Sequence, residues 1–472
     1  MLCSMRGEGD LSDSWSGRKI TVLGLGRSGI STAAYLLKRG AAVTVSEYSK
    51  AEGEKQAEVA ELKQLGASVE VGGHSEKAIK QADLIVTSPG ISPSTEVIKR
   101  AVATGKEVIS DIELAYREVK GEIPIIGITG TNGKSTTCAL TSWILENCEY
   151  LAPACGNFGV PILDQVEIAP DFLVAEVSSY QLYYCPTFAP KIGVWLNLTP
   201  DHLEWHGGLN GYIEAKQKMF LNQTTADYAV LNDDDPIVAN FHPPSEEFPF
   251  SVDTQEESAI QAAFMRDEYL CYRVDGMSQI VCARDELKII GKHNLENALA
   301  AISVAALLRL PHDKIVRGLT SFRALEHRLE FVATIDGVDF YNDSKATNPT
   351  STVKALEAFG EHRKVVLIAG GRDKGTALDE FTRTVRKHVS EVILIGEAKD
   401  RFGEALQQAN YRNVKTAKSM EEAIDLGASL KKGPVVLSPA CASFDMFKDY
   451  EDRGRVFKSL VHARLEKVAP SK

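Results

Sequence analysis

Gly127-Ile-Thr-Gly-Thr-Asn-Gly-Lys-Ser135 closes a short apolar run, Ile123–Ile128, and leads into a helical pattern over Thr136–Glu146. A strand that ends in glycines and turns into a helix is the setting of a phosphate-cradling loop. Glycines let the backbone fold around phosphate oxygens, so that N–H groups and the helix N-terminus point at the anion. Lys134 adds a cation for β/γ-phosphates and Ser135 a hydroxyl for Mg2+. The general spacing G-x-x-x-x-G-K-[ST] puts its first glycine at 128, where this chain has Ile128; its glycines are Gly127, Gly130 and Gly133. An ordinary glycine-rich strand-to-helix turn is the competing reading.

Outward from this loop the chain alternates short apolar strands with helices. Ile20–Leu23, Val43–Ser46, Val69–Val71, Leu84–Thr87 and Val108–Ile109 read as strands before it. Phe172–Val177 and Ile192–Leu198 follow it, with a long helix over Asn294–Leu308. Val365–Ala369, Val392–Ile395 and Val435–Leu437 are the last strands. Alternation of this kind predicts α/β architecture with mostly parallel sheets. We expect a tail over 1–17, a Rossmann-like domain over 18–118, a central P-loop domain over 119–323 and a second Rossmann-like domain over 324–472.

A length of 472 residues allows two to four domains. The net charge of −11 argues against a nucleic-acid scaffold. Eight cysteines without paired spacing (Cys3, Cys138, Cys148, Cys155, Cys185, Cys271, Cys282, Cys441) suit free thiols in a reducing compartment. No apolar run reaches the ~18 residues of a membrane span, and residues 1–17 lack the apolar core of a signal peptide. The expected location is the cytoplasm, with no membrane insertion.

Several constellations carry chemistry. Gly24-Leu-Gly-Arg-Ser-Gly29 opens the helix Ile30–Arg39, and Glu47 ends the next strand. This is a dinucleotide fingerprint, but its physical content is a diphosphate on a helix N-terminus and an acid for sugar hydroxyls, which a UDP-sugar satisfies equally; close helix–strand packing is the alternative. Glu176 sits at a strand end where α/β sheets place ligands, and a buried acid there calls for a metal or cation. Asn197-Leu-Thr-Pro-Asp-His202 follows another such strand, so His202 should reach the same crevice. A zinc pair of His202 and His206 is not favoured, because no third ligand is evident. His74, His242, His312, His362 and His388 read as surface residues.

Asn294 and Asn297, one turn apart in Gly291-Lys-His-Asn-Leu-Glu-Asn297, can offer amides to a purine edge or cap the helix. His327-Arg328, Asn342-Asp-Ser-Lys-Ala-Thr-Asn348 and Gly370-Gly-Arg-Asp-Lys-Gly375 bring cations to loops, for phosphates or carboxylates or simply for solvent. Leu437-Ser-Pro-Ala-Cys-Ala-Ser443 runs into a predicted helix Phe444–Arg453 whose free N–H groups form a carboxylate pocket. Cys441 is expected to pack rather than react.

Taken together these segments resemble the Mur ligases, ATP-dependent amide-forming enzymes of peptidoglycan synthesis. The shifted loop Thr129–Ser135, Ser88-Pro-Gly-Ile91, Gly156-Asn-Phe-Gly159 and Glu176-Val-Ser-Ser-Tyr-Gln181 follow the family order. Asp343-Ser-Lys-Ala-Thr-Asn348 and Ser438-Pro-Ala-Cys-Ala-Ser-Phe-Asp445 resemble its D-glutamate-adding branch.

The resemblance implies a monomeric enzyme that uses ATP and two Mg2+ ions. Lys134, Glu176, His202 and a carbamylated Lys216 would be catalytic, with Ser135, Glu176, His202 and Lys216 at the metals. ATP would meet Gly130, Thr131, Asn132, Gly133, Lys134, Ser135, Thr136, Asn294, Asn297, Arg328, Asp343 and Lys345. The UDP-linked substrate would meet Arg27, Ser28, Gly29, Glu47, Gly90, Asn157, Ser178, Gln181 and His202, and D-glutamate Thr347, Lys374, Ser443 and Tyr450. Competing readings are an NAD(P)-dependent oxidoreductase, resting on Gly24–Gly29, and a folylpolyglutamate-synthase-like ligase.

Overall fold

A computed structural model describes residues 15–253, 260–360 and 363–468. Cys3, His362 and most of the expected tail lie outside the described residues. The chain divides into two compact units. One runs to Arg284 and includes Glu296–Leu319; the other holds Asp285–Leu295 and the chain from Thr320 onward.

Two sheets build the first unit. The first has five parallel strands in the order Ser68–Val71, Ala42–Glu47, Lys19–Leu23, Leu84–Thr87, Val108–Ser110. Ile20, Val22 and Leu23 are buried, as a central parallel strand covered on both faces requires. The order reverses at Lys19–Leu23, so its C-terminal end and that of Leu84–Thr87 border the crevice where such sheets take ligands. Helix Arg27–Lys38 starts there, and it lies close to the sheet because a Cβ on Gly29 would stand 2.2 Å from the Gly24 carbonyl oxygen.

The second sheet has nine strands. From one edge they run Ala154–Gly156, Leu173–Glu176, Ile125–Thr129, Ile192–Trp195, Tyr228–Asn232, Glu246–Ser251 and Ala262–Arg266, all parallel. Tyr269–Val274 and Met277–Ala283 then add an antiparallel edge. Trp195, Phe188 and Phe220 fill one layer beneath it. Ile125–Thr129 is flanked by Leu173–Glu176 and Ile192–Trp195, which explains why the loop, Glu176 and Asn197 emerge side by side.

The second unit carries six strands in the order Glu330–Ile335, Val338–Asn342, Val435–Leu437, Val365–Gly370, Val389–Ile395, Val414–Thr416. The first pair is antiparallel and the rest are parallel. Asp336 and Gly337, both at positive φ, make the two-residue hairpin between them.

Two expectations are corrected. No helix spans Phe444–Arg453; the helix is Tyr450–Val468. Asp449 Oδ1 accepts from Asp452 N (2.6 Å), an N-cap that fixes the start at Tyr450, while Met446 N and Phe447 N turn back onto the Ser443 carbonyl. The carboxylate pocket on helix N–H groups beside Ser443 is therefore not formed. His388 is buried rather than on the surface, with Nδ1 3.1 Å from the Gly360 carbonyl oxygen, and His74 and His312 are half-buried.

Candidate active site

The loop after Ile125–Thr129 folds as its glycines dictate. Gly130 and Gly133 have φ of +158° and +86°, and helix Lys134–Asn147 follows with no side-chain cap and no acid in its first turn. Its N-terminus is thus electrostatically open to an anion. Asn197 Oδ1 accepts from the N–H groups of Thr131 (3.1 Å) and Asn132 (2.9 Å), and holds the loop in shape. Thr131 Oγ1 is 3.1 Å from the Tyr212 hydroxyl.

Two lysines converge on one carbonyl. Lys134 Nζ donates to the Gly130 and Thr131 oxygens, both at 2.9 Å, and Lys216 Nζ donates to the same Gly130 oxygen at 2.9 Å. Lys216 is 1% exposed. Burial above all, with Lys134 adding repulsion, pushes its ammonium well below the usual lysine range. The side chain leaves helix Leu209–Gln217 and lies over the Tyr212 ring, 4.9 Å from its centroid.

Glu176 ends the neighbouring strand and is 3% exposed. Its Oε1 accepts from Asn157 Nδ2 at 2.7 Å, whereas Oε2 is buried without a partner. A buried, unpaired carboxylate oxygen is costly in isolation. It fits a divalent cation, and Ser135, also buried, lies at the start of the adjacent helix. Asn157, expected around the nucleotide sugar, is held beside Glu176 by this bond.

After Glu176 comes a tight capping turn. Ser178 Oγ accepts from Gln181 N, and Gln181 Oε1 accepts from Ser178 N at 3.1 Å. His202 sits at φ +52° with Nε2 3.4 Å from Asp201 Oδ2, half-exposed, and Tyr180 stacks on His206 and meets the His202 ring at a tilt. His206 bonds Ser179 Oγ at 3.0 Å.

Burial, with Lys216 and His202 nearby, pushes His206 down to about 4. Its ring gains a proton near 6.5 in the unfolded chain but only near 4 in the folded one, so the unfolded chain binds more protons between these values. This residue therefore costs stability as pH falls from about 6.5 to about 4. The denaturant midpoint of His206→Gln should lose less than that of the wild type over that window; an equal loss would assign the acid sensitivity elsewhere.

At the first sheet, Glu47 Oε2 accepts from Leu25 N (2.8 Å) and Oε1 from Ser49 N (2.9 Å). Burial opposes its charge, yet these hydrogen bonds and Lys55 hold the carboxyl below its usual value. Gly26 would meet nothing within 4 Å if given a Cβ, so space for a ligand lies at the start of helix Arg27–Lys38, beside Arg27 and Ser28. The Gly90 carbonyl accepts from Trp205 Nε1 at 3.0 Å.

Asn297 Oδ1 accepts from Thr137 Oγ1 at 3.1 Å and stands where a Cβ of Gly133 would be, so it buttresses the loop. Asn294 Nδ2 donates to the Ile290 carbonyl.

Within the second unit, Asp343 is buried and accepts from Leu329 N (3.2 Å) and Ser438 Oγ (2.7 Å), with burial pushing it up to about 7. It thereby holds the turn that presents Arg328. Lys374 Nζ reaches the Thr347 carbonyl (3.4 Å), and Lys345 lies over the Tyr450 ring. Ser443 is buried. Cys441 is buried in the core and pushed up to about 12 by that burial, in keeping with packing. Sequence reasoning missed Arg453, which is 1% exposed and fans out to Ser344 Oγ, Ser344 O, Cys441 O and Ala442 O. It also missed Asp111, Asn197 as a loop brace, and Tyr212.

A parallel α/β protein with a phosphate loop, a lysine pair and an unpaired buried carboxylate is a nucleotide-dependent enzyme in its architecture. Comparison with known proteins narrows this. The Mur ligase MurD-like N-terminal domain matches residues 18–110, the Mur ligase middle domain 128–305, and the Mur ligase glutamate ligase domain 327–441. UDP-N-acetylmuramoylalanine--D-glutamate ligase of Pelotomaculum thermopropionicum is 39% identical over 448 residues, covering 94% of this chain and 97% of the relative. The enzyme of that name from Geotalea uraniireducens is 40% identical over 450 residues, with the same two coverages. Among solved structures, the UDP-N-acetylmuramate-alanine ligase MurC of Thermotoga maritima shares the fold (TM-score 0.57, 20% identity, 94% of this chain and 99% of that one). So does MurF of Acinetobacter baumannii (TM-score 0.57, 18% identity, 97% and 92%). The chain belongs to the Mur ligase family.

Proposed function

We propose that this chain is the ATP-dependent ligase that joins D-glutamate to UDP-N-acetylmuramoyl-L-alanine in peptidoglycan synthesis, as a cytoplasmic monomer. Relatives that carry the name of this reaction match it over nearly their whole length. The observation that carries the reading is the meeting of Lys134 and Lys216 at the Gly130 carbonyl, beside a Glu176 oxygen with no partner.

A carboxylate cannot be turned into an amide directly, because oxide is a poor leaving group. A carboxylate oxygen of the substrate's L-alanine attacks the γ-phosphorus of ATP, the bond to the β-phosphate oxygen breaks, and ADP leaves. The amine of D-glutamate then attacks the acyl carbon, phosphate departs with the bonding pair, and the ammonium proton is released. Lys134 supplies positive charge at the phosphates, and the helix N-terminus behind Ser135 supplies N–H groups.

Mg2+ would be held by Ser135 and Glu176, and a second ion by His202 and a carbamate on Lys216; bound there, it neutralises phosphate charge. Lys216 suits this role because burial makes its ammonium give up a proton more readily, and the free amine is a nucleophile for carbon dioxide. Residues 18–118 would take the UDP-sugar, 119–323 the ATP and 324–472 the amino acid, with Arg328, Lys345, Lys374 and Thr347 as anion contacts. An oxidoreductase would leave the lysine pair without a task.

The test is phosphate release with the UDP-muramoyl substrate, ATP and Mg2+ across a panel of amino acids. Release should require D-glutamate. Equal release with L-glutamate, or none with either, would sink the proposal.

A further inference from the structure

One buried acid lies outside every role given above. Asp111 opens helix Asp111–Val119 at the C-terminal end of the last strand of the five-stranded sheet, and it is 2% exposed. Its Oδ1 accepts from Gln181 Nε2 at 3.0 Å and from Ile112 N at 3.0 Å, and the Ser28 side chain also interacts with the carboxyl. Oδ1 thus joins two sheets across 70 positions of sequence.

The amide of Gln181 has one donor end and one acceptor end. With Nε2 committed to Asp111, Oε1 must face the Ser178 N–H and hydroxyl (2.9 Å), which closes the turn that follows Glu176. On its other side Asp111 borders a crevice too narrow for a water molecule, shared with Ser28 and Gly29 of the helix start and with Ser88, whose buried hydroxyl lacks a partner. The neighbouring helix residue Glu113 extends the same seam through Thr187 N (3.1 Å) and the Thr187 hydroxyl.

We propose that Asp111 is a positioning residue that fixes the register between the diphosphate turn at Arg27–Gly29 and the Glu176–Gln181 turn, and so sets where a UDP-linked acyl group lies relative to the phosphate loop. The substrate spans both turns on the reading given under Proposed function, and this inference rests on that reading. Asp111 acts through Gln181 and touches no reacting atom. A misplacement of about 1 Å at a reacting centre costs about 100-fold in rate. A charged group is not required for the task, only an acceptor of the right shape aimed at Gln181.

The experiment compares Asp111→Leu, Asp111→Asn, Gln181→Leu and the double leucine variant in steady-state phosphate release by the full chain, with thermal unfolding as a check of folding. Asp111→Leu should lower kcat/KM for the UDP-linked substrate about 100-fold while the KM for ATP stays within about twofold. Asp111→Asn, which keeps the acceptor, should stay within about threefold of wild type. Gln181→Leu, which also gives up the two bonds from Ser178, should lose at least as much as Asp111→Leu, and the double variant no more than Gln181→Leu, because both changes break the one hydrogen bond that joins the two residues. Should Asp111→Leu fail to fold, Gln181→Leu and Asp111→Asn still decide the matter. Wild-type kinetics in a folded Asp111→Leu or Gln181→Leu, an equal rise in the KM for ATP, or additive losses would overturn the inference. A wild-type enzyme that does not turn over at all would instead overturn the assigned reaction.

Discussion

Lys216→Ala should reduce turnover by about 1000-fold, the scale of losing a preorganised charged group in a dry site. The side chain is buried and its ammonium is destabilised first by burial and then by Lys134, so the amine loses its proton far more readily than a surface lysine. A neutral amine can add carbon dioxide: the nitrogen bonds to the carbon, one C=O pair moves onto oxygen and a proton leaves, so the product is an anion, which the neighbouring Lys134 favours rather than opposes. Substitution by alanine would remove such an anion and leave Lys134 without its neighbour at the Gly130 carbonyl. Lys216→Arg tests the alternative of a permanent cation, since guanidinium stays charged and cannot be carbamylated. It should be as inactive as the alanine variant. Wild-type protein supplied with 13C-labelled bicarbonate should show a carbamate resonance that the Lys216→Ala protein lacks. An active Lys216→Arg enzyme, or no such resonance in an active wild type, would refute the assignment.

Much of this arrangement could be seen in sequence, for a definite reason. Strands of a parallel sheet are buried on both faces, so Ile20–Leu23, Leu84–Thr87 and Val435–Leu437 stand out as short, predominantly apolar runs. Loops at their C-terminal ends collect the glycines and charged residues, which made the stretch from Gly127 to Ser135 readable on its own. What escaped was decided by partners far away in the chain. Asn197 braces Thr131 from 66 positions away, and Asn157 donates to Glu176 because Ala154–Gly156 pairs with the Glu176 strand. No local pattern encodes either. The helix expected over Phe444–Arg453 starts later for a local reason: Asp449 caps the N–H of Asp452 and sets the start at Tyr450. Arg453, read as part of that helix, proved to be a buried hub whose guanidinium satisfies carbonyls of the Cys441–Ala442 loop.

Glu176→Gln should lower kcat by about 100- to 1000-fold with little change in the KM of the UDP-linked substrate. Glutamine has nearly the shape of glutamate and keeps an oxygen for Asn157 Nδ2, which now accounts for only one of the two carboxylate oxygens. The other is buried and unpartnered, and the variant replaces its charge with a neutral amide. If that oxygen serves a divalent cation, the variant needs far more Mg2+ to reach half its own maximal rate. If Glu176 merely holds Asn157, Glu176→Gln would retain the hydrogen bond and stay active at ordinary Mg2+, while Asn157→Ala would be the damaging change. Titrating phosphate release against Mg2+ for both variants separates the two. A requirement unchanged in Glu176→Gln would remove Glu176 from the metal site and leave the loop, with Lys134 and Ser135, to hold the phosphates without it. Stability should rise or hold in this variant, because a buried carboxylate with one oxygen unpartnered is costly. A more stable, less active protein is the outcome expected where a residue is kept for its chemistry against its cost to the fold.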